Sequence, residues 1–105
     1  MKIYLAGDII KIKTTKVKPH YLFTYFFRKA TEVFPDDIEL KFTLAGIYTD
    51  AGKYREALEV YDNLEKVLGV NENIILSKEN IYMMMGEFEK AYKEVTRLIE
   101  YFPEE

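Results

Sequence analysis

The sequence predicts an all-α fold of antiparallel helix-turn-helix units stacked in series, and three observations predict it. First, Tyr48, Gly52, Tyr54, Ala57 and Leu64 return 34 residues later as Tyr82, Gly86, Phe88, Ala91 and Leu98. Self-similarity at a fixed interval of this size marks stacked supersecondary units. Second, apolar residues recur at helical spacing, as in Leu40, Leu44, Ile47 and Tyr48, then Leu58, Tyr61, Leu64 and Leu68. Third, Gly52 and Gly86 each follow a first helix, where a left-handed residue closes the helix without a Cβ clash.

The elements follow in order. Residues 1–20 form a basic leader. Its β-branched run from Ile9 to Val17 and the alternation over Lys11 to Lys13 predict an extended or strand-like path. A hairpin at Gly7-Asp8 is one such path, a helical or a disordered leader is the alternative, and Pro19 restricts Lys18. Residues 21–36 hold one repeat-like helix, over 21–34. Counting back by the repeat sets Phe23, Phe27, Ala30 and Pro35 opposite Ala57, Tyr61, Leu64 and Gly69. The Phe23 ring, where the later units have Ala, predicts looser packing of this helix or none.

The first full unit is 37–71, with helices over 37–51 and 54–68. The second is 72–105, with helices over 72–85 and 88–102. Asn71-Glu72-Asn73 supplies a helix start after Gly69. Ala57 and Ala91 are small enough for paired helices to cross closely near their turn, where a larger side chain would overpack. Tyr48 and Tyr82 are long enough to reach across each pair. In the second unit Lys78 and Glu79 replace Leu44 and Ala45. That exchange predicts a third helix that is rotated or less tightly held. Consecutive residues point around a helix, so one or two of Met83, Met84 and Met85 are assigned to the core.

On these residues the chain resembles the tetratricopeptide repeat family. One unit supplies Leu44, Ala45, Tyr48, Gly52, Tyr54, Ala57 and Tyr61, and the next Tyr82, Gly86, Phe88, Ala91, Val95 and Pro103. Leu64 stands where the family has a small residue, and Gly69 replaces its Pro. The resemblance implies a short right-handed solenoid whose first helices line a concave groove. That groove would receive an extended peptide or a helix of a partner protein. Its positions fall at Glu39, Phe42, Thr43 and Gly46 in one unit, and at Asn73, Leu76, Ser77 and Asn80 in the next. The Lys, Asn and Arg set by which some members clamp a terminal carboxylate is missing, apart from Asn80. Similar phrases, such as the GKYREALEVYD run at 52–62, occur in long bacterial proteins of this family, some at the cell envelope. The resemblance thus implies a fragment of a longer bacterial protein, without fixing its compartment.

Composition narrows the chemistry. The chain has 105 residues, 49% hydrophobic and 31% charged, which suits a folded protein rather than a disordered one. There is no Cys, so disulfides and thiolate chemistry are excluded. The single His20, beside Pro19 at a helix start, reads as structural or solvent-facing. No apolar run reaches the ~20 residues of a membrane span. The sequence gives no metal spacing, no phosphate loop and no cofactor motif. Glu56, Glu59, Asp62 and Glu65 fall on an expected polar helix face, so no pair of carboxylates is set up for hydrolysis. The leader carries Lys2, Lys11, Lys13, Lys16 and Lys18 against Asp8, whereas the rest of the chain is acidic. An acidic body argues against nucleic acid as the main partner.

Two roles remain. One is a non-catalytic module that binds a protein or peptide in the groove. The other is a structural spacer or self-assembly segment of a longer solenoid. For the second role, Tyr92, Val95, Leu98, Ile99 and Phe102 offer more apolar surface than one preceding helix pair covers, which predicts an open end and a homo-oligomer through it.

Overall fold

The computed structural model describes residues 19–103. The expected leader over 1–18, with its basic run and candidate hairpin at Gly7-Asp8, lies outside the described residues, as does the side chain of His20. Within them are five helices and no strand: α1 (Pro19–Val33), α2 (Ile38–Asp50), α3 (Tyr54–Leu68), α4 (Glu72–Met85) and α5 (Phe88–Tyr101). Each packs against its neighbours in chain order. The leader boundary expected at residue 20 moves, because α1 already starts at Pro19. Proline suits a first turn, where its missing N–H would have had no partner.

The helix ends follow from local chemistry. Asp37 caps α2 by accepting from the Leu40 N–H at 3.1 Å, and Asn71 caps α4 by accepting from the Ile74 N–H at 3.1 Å. The turn after α2 bonds Lys53 N to Tyr48 O, and the turn after α4 bonds Glu87 N to Tyr82 O, each at 2.8 Å. Gly52 and Gly86 make both turns at φ 76° and 77°. The two hairpins therefore close by the same hydrogen-bond pattern, six residues wide.

The core runs along the stack. Leu44, Ala45 and Tyr48 of α2 meet Ala57, Tyr61 and Leu64 of α3, and Ile74 and Ile81 of α4 join them. Ala57 is 0% and Ala91 2% exposed, as close crossing at the turns requires. Leu64, Ile74, Ile75 and Ile81 are fully buried, each removing enough apolar surface to contribute about 1.5–3 kcal/mol.

For α1, packing on no helix is ruled out; for α4, the rotated alternative holds; and for the methionines, the expectation is corrected. α1 does pack on α2, with Phe27 against the core and Ala30 buried. It turns the oversized Phe23 ring outward, 53% exposed, and buries Thr24 instead. α4 is not loosely held: it buries Ile74, Ile75, Lys78 and Ile81, whereas Glu79 and Tyr82 are only half-buried. Its buried face is thus shifted relative to that of α2, which keeps the Glu79 carboxylate out of the Ala45 position. Finally, none of Met83, Met84 and Met85 enters the core, since all three are exposed. They fall off the Ile74–Lys78–Ile81 line or at the very end of the helix. Met84 Sδ instead accepts from the Tyr54 hydroxyl at 3.8 Å.

Candidate interaction site

The eight candidate groove positions lie on α2 and α4, the first helices of the two full units. Glu39 and Thr43 are exposed on α2, and the Thr43 hydroxyl donates to Glu39 O at 2.9 Å. Phe42 is half-buried, with its ring 6.3 Å from that of Tyr61. On α4, Asn73, Leu76 and Asn80 are exposed and Ser77 is half-buried. Leu76 stands out because it is 43% exposed on a helix whose isoleucines are all buried. Asn73 precedes it by three residues and Asn80 follows it by four, so all three share one face of α4. The Gly46 position on α2 opens onto empty space, with nothing within 4 Å of where a Cβ would stand. The candidate positions therefore offer an exposed Leu76 and a half-buried Phe42, amides on α4 and no basic side chain.

A second constellation lies behind this face. Lys78 points into the stack with its side chain 7% exposed. Its Nζ lies 2.8 Å from Asp62 Oδ1, 3.3 Å from Glu94 Oε1 and 3.9 Å from Glu65 Oε2. Arg97 closes the cluster by donating to Glu65 at 2.9 Å and to Glu94 at 3.0 Å. Three helices are tied at one point: α3 through Asp62 and Glu65, α4 through Lys78, α5 through Glu94 and Arg97. A lysine buried without partners would cost several kcal/mol, so the carboxylates are what permit it here.

The electrostatics agree with the geometry. Burial disfavours the Lys78 ammonium, but the hydrogen bond to Asp62 and the charges of Glu94, Asp62 and Glu65 outweigh it, and its pKa rises above the ordinary 10.5. The hydrogen bond to Glu65 raises Arg97 further, with burial opposing and Glu94 adding to the rise. Burial raises the Tyr82 phenol above 10.0, against the opposing charge of Lys78.

Sequence reasoning placed Asp62 and Glu65 on a solvated face and missed this cluster. The available signal was the spacing: Asp62, Lys78 and Glu94 are each sixteen residues apart, roughly one helix and its turn.

The remaining repeat positions differ in burial between the two units. Tyr54 and Val95 are half-buried, while Phe88 is 63% exposed on the outer side of α5. Tyr92 and Ile99 on the same helix are 72% and 63% exposed, and Pro103 is exposed after its end. None of the described helices is long and apolar enough to cross a membrane.

A serial stack of matched helical hairpins with an exposed face on its first helices defines a helical-repeat protein. No family model matches the chain. It is similar to a TPR repeat-containing protein of Methanocaldococcus jannaschii, with 35% identity over 71 residues, 63% of this chain. The chain spans 22% of the length of that relative. Sequence similarity and helical architecture agree: the chain resembles tetratricopeptide repeat proteins in both.

Proposed function

We propose that the chain is a non-catalytic protein-interaction module that receives a peptide or a helix of a partner along the α2–α4 face. The observation that carries this reading is the exposure of Leu76 between Asn73 and Asn80. An apolar side chain left out among amides suits a partner backbone, which needs both contact area and hydrogen-bonding groups. Phe42 extends the apolar strip on α2, and Glu39, Thr43 and Ser77 supply polar edges. With no cation among these positions, the partner segment is recognised by apolar side chains and peptide groups rather than by a carboxylate. The name of the relative as a TPR repeat-containing protein supports a role in protein interactions. A non-catalytic role is supported by the buried charges, since Lys78, Glu94, Glu65 and Arg97 are consumed in pairing one another.

Site-specific photo-crosslinking in the native host tests this. A photoreactive residue at Leu76 is expected to form a polypeptide adduct that the same residue at Glu59 on α3 does not form. The adduct is expected to disappear when Phe42→Ala and Asn80→Ala are added. Equal adducts at both positions, or survival in the double variant, would refute the reading.

A second reading, a spacer or self-assembly segment, is favoured by one observation: the apolar outer face of α5, with Phe88, Tyr92 and Ile99 exposed. Under it, changes on α5 alter assembly and changes at Leu76 do nothing.

A further inference from the structure

The exposed apolar strip on α4 continues past Asn80. Residues seven apart on a helix return to nearly the same direction, two turns or about 10.5 Å along the axis. Leu76 and Met83 stand in that relation, at 43% and 47% exposure. Asn80 and Met84 lie beside them and are exposed as well. This line runs opposite the one that buries Ile74, Lys78 and Ile81. Moving back by 34 residues, Met83 and Met84 become Thr49 and Asp50 of α2. They therefore extend the two series that run from Glu39 to Gly46 and from Asn73 to Asn80.

The charges along this face have one sign. Glu39 and Asp50 are exposed on the α2 line that passes through Thr43 and Gly46. Glu72 and Glu79 flank the strip on α4, both half-buried. The basic residues of α2 and α4 are Lys41 and Lys78. Lys41 lines a cleft with Thr31 and Asn63 on the opposite side of α2, and Lys78 is buried among its carboxylates. Lys53 lies past the end of α2, in the turn.

We propose that the segment received on this face is an amphipathic α-helix of another protein, a conclusion that rests on the face being the interaction site described above. The helix runs along α4, sets apolar residues two turns apart on Leu76 and Met83, and carries Lys or Arg on the side toward α2. Two apolar points about 10.5 Å apart suit residues i and i+7 of a helix. An extended segment spans that distance in about three residues, and residues three apart point to opposite faces of a strand. Met83 and Met84 are unbranched and flexible, so they adapt to apolar side chains of differing shape. Basic side chains find Glu39 and Asp50 at the border, whereas an acidic helix meets like charge there.

The test places a photoreactive residue at Leu76 or at Met83 of the full chain in the native host, and maps the captured residues by mass spectrometry. Both positions are expected to capture the same polypeptide, at residues about seven apart. Glu39→Lys combined with Asp50→Lys is expected to reduce both adducts about tenfold. Circular dichroism of that double variant checks that its helices persist. An adduct at Leu76 with none at Met83, captured residues about three apart, or adducts indifferent to the two lysines would overturn the helix and leave the interaction site standing. Capture of the same polypeptide, within one copy or between two, would overturn it as well. Absence of any adduct at Leu76 would remove the interaction site and the helix together.

Discussion

Lys78 Nζ lies 3.3 Å from Glu94 Oε1, and both side chains are buried, at 7% and 8% exposure. The pair joins the two helices of the second hairpin, while Asp62 and Glu65 extend it to the hairpin before. Removing one partner should therefore be felt across the whole stack. Lys78→Ala is expected to destabilise by about 3 kcal/mol, because it leaves buried carboxylates with Arg97 alone. Lys78→Met, which fills the space without a charge, should lose less than Lys78→Ala. Urea unfolding of the two variants checks the order.

The cluster also fixes a pH dependence. Lys78 is held above 10.5 in the folded chain, the net result of burial opposing the charge and Asp62, Glu94 and Glu65 favouring it. A raised folded value means that the stabilisation is complete below the unfolded pKa and disappears as pH climbs through the folded one. Tyr82, raised by burial, acts in the same direction. Stability is expected to fall from about pH 10 upward, more steeply in the native chain than in Lys78→Met. Denaturant midpoints across that range measure it.

Two glycines should respond in opposite ways. Gly46 sits inside α2, and a methyl group added there would meet only open space, so Gly46→Ala should stabilise by about 0.5–1 kcal/mol. Gly86 closes α4 at φ 77°, so Gly86→Ala should destabilise by about 1 kcal/mol. Thermal unfolding of both variants decides the signs.

The capping side chains give a further check. Asn71→Ala removes the acceptor for the Ile74 N–H and is expected to cost about 1 kcal/mol. Asp37→Ala should cost a similar amount at α2. Loss of hydrogen-exchange protection should begin in the first turn of the affected helix.

The helices and their turns were legible because their signals are local. Gly52, Gly86 and Asn71 act within a few residues of themselves, and the 34-residue echo set the frame for the rest. That Leu76 falls on the first helix of the second unit could be read from register alone. The Lys78 cluster could not, because polarity on a helix ordinarily marks solvent and its partners come from separate helices. Phe23 was flagged by its size against Ala57 and Ala91, and it is 53% exposed, while the first helix of its own unit would fall on residues outside the described ones. The three methionines misled because hydrophobicity alone does not distinguish a helix end from its middle.

The close crossing at Ala57 and Ala91 supports everything above, since it brings α3 onto α2 and α5 onto α4. Urea unfolding of Ala57→Leu and Ala91→Leu measures it most directly. Each substitution is expected to remove about 1–3 kcal/mol, because the added methylenes meet a packed neighbour. Native stability and unchanged helical content in both variants would contradict the stacked-hairpin account.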